Sequence, residues 1–477
     1  MLATTLAVIA IVTQDQSALR AAPRESAAQQ AVLWQGDNLE IRGEKGDYLQ
    51  VYDHRRERAG YIRASQVRVE SLDPQRSGEL LAVVRFIRDT PGAEALGIAY
   101  AAAYLKAAPA QAIDVEAFDA LGTMAERLAH RASGRQGKRN DAALSWHLDV
   151  AAGYGVALRR FERDGRIQLC YDGEAFRRVL AVQASAGQRA RAALALTRHD
   201  CVSPDLTPVE TVANDQWRAE VLDRVDTREL SKVLKSRMRL RKAGVWAGIA
   251  HQQARRGAAE PGATQQAAVQ AAGNRALDEL AAIHKGDLSE DDATAYADAA
   301  IRVGASRWAG QSLAPASPKL KLITKPGQPG ETCVRLTDAR DEKKPPLATR
   351  CTYGVVWPAS AAASPNGTAL TLAVQPLATW REMWVFRQVG DTWSVDVLPP
   401  STGGPDIGYV EFAGWVPGGT HLLAAREARV EGRYTRRFEL VRLSDLAVEK
   451  QADQPASLSA FYRWQDPTWK QHTVSLR

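Results

Sequence analysis

The hydrophobic and polar positions follow different periods in different parts of the chain. Up to about residue 70, apolar residues such as Leu39 and Ile41 alternate with polar neighbours, as in short β-strands. After Pro74 the apolar positions recur with the 3.6-residue period of helices, and towards the C-terminus the alternation returns. The pattern predicts a multi-domain α and β protein with a small β-barrel at 11–70, an all-α array of helical hairpins at 75–310, a linker at 311–318 and an antiparallel β-domain at 319–477.

The helical middle of the chain reads as a series of amphipathic segments joined by short polar links. In the first of them, Leu80, Val84 and Ile87 share one face, and Pro91 follows its end. Such lengths and links predict antiparallel hairpins stacked into an irregular, solenoid-like array. The predicted helices are 79–89, 94–107, 115–131, 141–162, 188–197, 208–225, 227–252, 265–285 and 289–303.

Short motifs in the N-terminal strands carry a family resemblance. They occur in the order ALRAAP at 18–23, WQGDNLEI at 34–41, YLQV at 48–51, GYI at 60–62 and ASQV at 64–67. Together they resemble the bacterial SH3 (SH3b) domain, which has a Leu-x-x-Arg-x-x-Pro-like opening, a Gly-led strand, an aromatic-led strand and a closing Gly-Tyr-Val. The resemblance implies a small, partly open five-stranded barrel, commonly a non-catalytic module of exported bacterial proteins that binds cell-wall peptides or protein partners.

Four aromatic residues of this segment are candidates for a binding groove. Trp34, Tyr48, Tyr52 and Tyr61 could present exposed rings, which give a large contact area at low entropic cost. The alternative is that Tyr48 and Tyr61 fill the barrel itself, because a barrel this small needs aromatic packing.

The C-terminal part contains an internal repeat. PNGTAL at 365–370 aligns with PGGTHL at 417–422, and Asp466-Pro467 opens a fainter third copy after another interval of about 50 residues. A turn of this kind before a strand resembles a blade of TolB-type β-propellers, which implies four-stranded units. Three such units leave open a partial propeller, a pair of packed antiparallel sheets, or closure by another chain. The turns around Pro365 and Pro417 form a second candidate surface.

The charge balance changes this picture little. The net charge is +7 and the pI is about 9.2, but the basic residues are spread thinly. The densest cluster lies at 232–242, where Leu234 and Met238 place an apolar stripe beside the charges. Because no aromatic residues interleave these charges, we interpret the cluster as a solvated helix face and predict no nucleic-acid partner.

The four cysteines indicate an oxidising compartment. Cys170 lies near Cys201 in the sequence and Cys333 near Cys351, without the tight C-x-x-C pairs of metal sites, so we predict two disulfides. Residues 2–12 are apolar but too short to span a membrane. Either they are a signal-peptide h-region whose positive n-region is lost, or 9–12 already belongs to the first strand. Cysteines and apolar segment together predict a periplasmic or secreted protein without an integral membrane segment.

The sequence contains none of the catalytic motifs for which we searched. There is no HExxH, P-loop or GxGxxG motif, and no two of the eight histidines are spaced as a helix-borne metal pair. We therefore predict no catalytic residues, no metal and no cofactor, and favour a non-enzymatic protein. The leading hypothesis is an exported bacterial envelope protein that binds or scaffolds, through an SH3b-like module that engages a cell-wall peptide or an envelope protein.

Two alternatives accompany this hypothesis. SH3b modules often accompany peptidoglycan hydrolases, so a hydrolase with its active site in the helical part is the first. Its candidate residues are Trp146, His147, Asp149 and Tyr154. A purely structural, partner-binding array is the second. The sequence leaves the oligomeric state and the ligand open.

Overall fold

The computed structural model describes residues 8–133, 141–163, 166–259, 263–307, 317, 319–341, 343–404 and 406–474. Their contacts form two compact units: one comprises the described residues of Met1–Thr207 and Arg224–Leu230, the other those of Pro208–Asp223 and Ser231–Arg477. The chain has an N-terminal antiparallel sheet, a central helical region and a C-terminal mixed sheet, which confirms the multi-domain α and β class. The boundaries at 11–70, 75–310 and 319–477 stay a prediction, and the linker 311–318 lies outside the described residues except for residue 317.

The first unit begins with an antiparallel sheet of short strands. These are β1 (Val8–Val12), β2 (Ser17–Arg20), β3 (Gln29–Leu33), β4 (Asn38–Lys45), β5 (Tyr48–Asp53), β6 (Arg58–Arg63) and β7 (Val67–Ser71). They pair in the order β3-β2-β6-β5-β4-β1-β7. The sheet therefore has seven strands where the SH3b resemblance implied five, and the resemblance itself stays a prediction.

Strand β1 is buried on both faces. Ala10 and Val12 point into the core inside the sheet, whereas Ile9 and Ile11 pack against the helices that follow. The two-residue period of a strand sends alternate side chains to opposite faces, so a strand covered on both sides is apolar throughout. This explains the apolar run at 8–12, and the expectation that 9–12 belongs to the first strand is confirmed.

Helices follow this sheet in the chain, and the first of them pack against it. They are α1 (Ser77–Ile87), α2 (Glu94–Ala107), α3 (Val115–Ala132), α4 (Asp141–Gly153), α5 (Glu174–Ala181) and α6 (Ala186–Leu196). The predicted helix 141–162 is wrong in its second half, because α4 ends at Gly153. Gly155 then adopts a φ of 83°, which favours glycine, and the antiparallel hairpin β8 (Leu158–Arg163) and β9 (Arg166–Tyr171) follows.

The second unit starts with longer helices. These are α7 (Pro208–Asp223), α8 (Lys232–Ala259), α9 (Ala263–Ala281) and α10 (Glu290–Arg307). Small and aliphatic residues such as Ala243, Ala276 and Val303 let α8, α9 and α10 pack closely around a common core. The bounds agree with the predicted helices to within a few residues at most ends, because an amphipathic helix of this length leaves a clear 3.6-residue pattern.

The β-strands of this unit form stacked layers. The strands are β10 (Leu320–Pro326), β11 (Thr332–Asp338), β12 (Ala348–Thr352), β13 (Val355–Ala363), β14 (Ala369–Leu377), β15 (Trp380–Val389), β16 (Thr392–Leu398), β17 (Gly408–Trp415), β18 (His421–Val430), β19 (Arg433–Arg442) and β20 (Val448–Ala452). Alternate residues of one strand enter different cores: Leu372 contacts the β10–β12 sheet side, while Ala369 contacts the β17–β19 side. Two terminal helices, α11 (Ser459–Trp464) and α12 (Pro467–Val474), cover the outer face of β18 and β19.

The sequence repeat corresponds to two antiparallel meanders. The first copy is the turn between β13 and β14 in the meander β13–β16, and the second is the turn between β17 and β18 in the meander β17–β20. The meanders join through a short parallel pairing of β15 with β17, so the sheet is mixed rather than purely antiparallel. The third copy is wrong, because Pro467 starts helix α12 instead of a strand.

Both predicted disulfides are confirmed. Cys170 is bonded to Cys201 and Cys333 to Cys351. Among the described residues, no helix is both long and apolar enough to cross a membrane.

Candidate binding surface

The three predicted tyrosines lie on one face of the N-terminal sheet. Tyr48 and Tyr52 stand four residues apart on β5 and therefore point to the same side. Tyr61 on β6 lies directly opposite Gln50, which lies between them on that side. Leu49 points the other way into the core. The strand register thus brings the three rings together on the outer face of β5 and β6.

The four predicted aromatic residues differ in exposure. Tyr52 and Tyr61 are half-buried, whereas Tyr48 keeps 7% of its surface exposed and Trp34 only 5%. Trp34 lies apart from the tyrosines and stacks on Trp146 with ring centroids 5.8 Å apart. The expected exposure is therefore wrong for Trp34 and Tyr48, because packing within the unit covers both rings. A binding role for the four residues stays a prediction.

Two arginines extend the tyrosines into a mixed aromatic and cationic surface. The guanidinium of Arg42 lies 4.0 Å from the ring centroid of Tyr52, and that of Arg63 lies 5.7 Å from the centroid of Tyr48. Cation–π contacts of this kind hold both partners in place. We use the name tyrosine face for Tyr48, Tyr52, Tyr61, Arg42 and Arg63.

A carboxylate at the edge of the tyrosine face fixes Arg42. Glu40 lies opposite Tyr52 in the strand register and accepts hydrogen bonds from Arg42 and from His54, whose Nε2 is 2.6 Å away. These two partners, with Arg42 contributing most, lower the pKa of Glu40. Arg42 and Glu40 were not predicted. The pairing of the adjacent strands β4 and β5, which places Glu40 opposite Tyr52, was the available signal.

The tyrosine face suits a ligand that combines carboxylates with apolar groups. Arg42 and Arg63 already pair with Glu40 and Glu25, but they keep 45% and 43% of their side chains exposed, so their remaining N–H donors can reach a further carboxylate. The rings of Tyr52 and Tyr61 offer flat apolar area beside these donors. Rings and donors that lie along one face of paired strands suit an extended peptide better than a small molecule, which needs an enclosing pocket.

The residues of the hydrolase alternative are used in packing. Each of the four side chains contacts the N-terminal sheet or a loop between its strands. Trp146 stacks on Trp34, His147 Nε2 lies 2.8 Å from the carboxylate of Asp15, Asp149 pairs with Arg55, and Tyr154 donates to the carbonyl of Gly36 at 2.7 Å. The arrangement holds α4 and the chain after it against the sheet.

The two repeat turns of the C-terminal part lie side by side. The amide of Asn366 donates to the carbonyl of Gly418 at 3.4 Å, and the Nζ of Lys319 donates to the carbonyl of Asn366 at 2.9 Å. The side-chain oxygen of Asn366 accepts from Ser364 and Thr368, so the turn is held by its own hydrogen bonds. This second candidate surface is polar and offers fewer exposed rings than the tyrosine face.

The basic cluster of α8 faces acidic partners. Arg237 donates to Asp292 at 2.8 Å, and Lys242 lies 3.2 Å from Asp223. Lys232 pairs in the same way with Asp287. These pairs bind α8 to neighbouring helices of its unit. Lys232 is largely exposed, as in the solvated helix face predicted from the sequence, whereas Lys242 is largely buried.

Protein-family models, curated proteins and solved structures were all compared with the chain, and none of them matches it. The SH3b and TolB-type resemblances therefore rest on the motifs alone.

Proposed function

We propose that this chain is an exported bacterial envelope protein that binds or scaffolds without catalysis. In this proposal the tyrosine face engages a cell-wall peptide or an envelope protein. The observation that carries the proposal is the strand register, which gathers the buried Tyr48 and the half-buried Tyr52 and Tyr61 on one face of the sheet beside Arg42 and Arg63.

Export is supported by the cysteines. All four form disulfides, and the described residues include no free cysteine. Structural disulfides persist in oxidising compartments such as the periplasm or the extracellular space and are rare in the cytosol. This preference supports a periplasmic or secreted location.

A binding role is supported by the chemistry of the face. Cell-wall peptides carry free carboxylates and short apolar side chains, and the tyrosine face offers guanidinium donors within one side-chain length of half-exposed rings. Tyrosine and arginine are also the residue types that contribute most to protein interfaces.

The hydrolase alternative has less support. Its candidate residues bind the N-terminal sheet segment, and His147 retains only 5% of its surface exposed. A general acid or base has to reach the bond that it acts on, which a side chain held in this way does not do.

Sedimentation with purified peptidoglycan sacculi tests the proposal. The wild-type protein should sediment with sacculi without releasing soluble fragments. The double variant Tyr52→Ala, Tyr61→Ala should bind at least about tenfold more weakly, because loss of two aromatic anchors commonly costs more than 1 kcal/mol each.

Tyr462→Ala is the matched control, since Tyr462 is 75% exposed on α11 and lies outside the tyrosine face. This variant should sediment like the wild type. Release of soluble fragments would favour the hydrolase, and absence of sedimentation would leave a protein partner as the ligand.

A further inference from the structure

The Cys333–Cys351 disulfide is more exposed to solvent than the other one. Cys351 is exposed and Cys333 is half-buried, whereas Cys170 retains only 2% of its surface exposed and Cys201 is half-buried. Thiol–disulfide exchange requires an attacking thiolate to reach a sulfur atom. An external reductant therefore reaches the Cys333–Cys351 bond more readily than the Cys170–Cys201 bond.

A carboxylate lies beside the exposed disulfide. The side-chain ligand atoms of Glu331, Cys333 and Cys351 all lie within 4.8 Å of one another. Glu331 folds back over the turn between β10 and β11, where its carboxylate accepts a hydrogen bond from the backbone N–H of Gln328 at 3.0 Å. This hydrogen bond orients the carboxylate towards the two sulfur atoms.

The backbone of Gly327 lies next to the carboxylate of Glu331 and the Sγ of Cys333. A Cβ atom added there would lie 2.3 Å from the carboxylate of Glu331 and 2.9 Å from the Sγ of Cys333. A larger residue at this position would have to displace the carboxylate of Glu331 and would crowd the Sγ of Cys333. Gly327 therefore leaves room for the carboxylate beside the disulfide.

We propose that Glu331, Cys333 and Cys351 form a redox-gated site for a soft divalent cation such as Zn²⁺. A dithiol reductant supplies two electrons and two protons, which convert the S–S bond into two thiols while the reductant becomes a disulfide. Binding of the cation then releases both thiol protons and joins two thiolates and one carboxylate oxygen to the metal. Water occupies the fourth tetrahedral position, as in open zinc sites.

The sheet keeps the ligands together after reduction. Cys333 and Cys351 lie directly opposite each other on β11 and β12, so both side chains stay on one face. The neighbouring pairs Thr332 with Thr352 and Val334 with Arg350 hold the strands on either side. Cross-strand side chains at this spacing can place two sulfur atoms at about 2.3 Å from a common Zn²⁺.

Lys325 on β10 lies directly opposite Cys333, which places Lys325, Cys333 and Cys351 in one row across three strands. The carboxylate of Glu331 lies within 4.8 Å of both sulfur atoms, so it disfavours an unbound thiolate and favours a bound cation. Deprotonation of the two thiols is therefore coupled to binding of the metal.

Selective reduction is the first test. The folded full-length protein is treated with a limiting amount of a phosphine reductant, its thiols are alkylated, and the labelled peptides are identified by mass spectrometry. The proposal expects label at Cys333 and Cys351 while Cys170 and Cys201 stay bonded. Equal labelling of both pairs, or earlier labelling of Cys170 and Cys201, would overturn it.

Cobalt binding is the second test. The selectively reduced protein, freed of reductant, is titrated with Co²⁺, and one equivalent should produce the near-ultraviolet thiolate-to-cobalt absorption band. The oxidised protein should give no such band. Glu331→Gln should weaken cobalt binding by about tenfold or more, since even indirect partners of a metal ligand contribute that much.

Glu229→Gln is the matched control, because Glu229 is exposed and lies on another segment. It should leave the affinity for cobalt unchanged, and Cys333→Ser should abolish the thiolate band. Glu331→Gln retains the disulfide, so it tests the site even if the cysteine variant fails to fold. Reduced wild-type protein without a thiolate band would overturn the proposal.

Discussion

At the scale of single residues, Arg56 is a partly buried charge with one partner near it in the sequence and one far from it. Arg56 lies in the charged turn 54–58 but is only 20% exposed, because its guanidinium bonds to Asp53 at 2.8 Å and to Asp37 at 3.1 Å. The turn joins β5 to β6, so Asp53 is a local partner. The sequence could not show the pairing with Asp37, because periodicity says nothing about which loops meet in space.

His251 on α8 is the clearest buried titratable residue. It retains 2% of its surface exposed, and burial, followed by the nearby charge of Arg255, lowers its pKa to about 4 from the ordinary value of 6.5. The unfolded chain therefore binds a proton between these pH values that the folded chain does not bind. We expect the free energy of unfolding to decrease by about 3 kcal/mol from this residue as the pH falls from above 6.5 to 4.

Urea unfolding at several pH values checks this expectation. His251→Leu should remove that part of the pH dependence of the free energy of unfolding. His284→Leu replaces an exposed histidine and should leave the dependence on pH as in the wild type. Identical slopes for wild-type protein and His251→Leu would show that His251 does not titrate as its burial implies.

At the scale of elements, strand β1 links the N-terminal sheet to its helices. Ile11 is 1% exposed in the core shared with the helices, whereas Val8 on the same strand is 40% exposed. Ile11→Ala should lower the free energy of unfolding by about 3 kcal/mol through lost burial and a cavity. Val8→Ala should change it by less than about 0.5 kcal/mol.

Chemical unfolding followed by circular dichroism compares the two variants directly. Similar small effects of both substitutions would contradict the placement of β1 between two packed layers.

The helices were more predictable than the short strands between them. Helices such as α2 and α3 carry an apolar face or small residues over three or more turns, and their bounds follow from that pattern. The hairpin of β8 and β9 was missed because arginines follow Leu158 and its strands are only six residues long. Gly153 and Gly155 were the available signal for the end of the helix.

The candidate surface was predictable only where local pattern determines which way a side chain points. Residue type and alternation pointed to Tyr52 and Tyr61, which lie on the open face. The burial of Trp34 depends on Trp146, more than 100 residues further along the chain, and no local pattern encodes that contact.

At the scale of the whole molecule, alternation along each strand determines which layer a residue joins. In β15, Trp384 and Phe386 enter one core, while Met383 and Val385 enter the other. The repeat of about 50 residues was visible in the sequence because both copies need the same glycine-rich turn before an apolar strand. The prediction of a third copy of the repeat was wrong because Asp466-Pro467 is equally suited to start a helix.

The disulfides give a prediction for the complete chain. Thiol titration of denatured, unreduced protein should find no free thiol, and two or more reactive thiols would contradict the argument for export. Replacing Cys170 and Cys201 by serine should lower the free energy of unfolding by about 3 to 4 kcal/mol, because that bond closes a loop between residues 31 positions apart. Calorimetric unfolding under non-reducing conditions measures the difference.

Calorimetric titration with a soluble cell-wall peptide tests the central claim most directly. Wild-type protein and Tyr462→Ala should bind the peptide with the same dissociation constant, and the Tyr52→Ala, Tyr61→Ala protein should bind at least about tenfold more weakly. A double variant that binds as tightly as the wild type would show that the tyrosine face is not the binding surface.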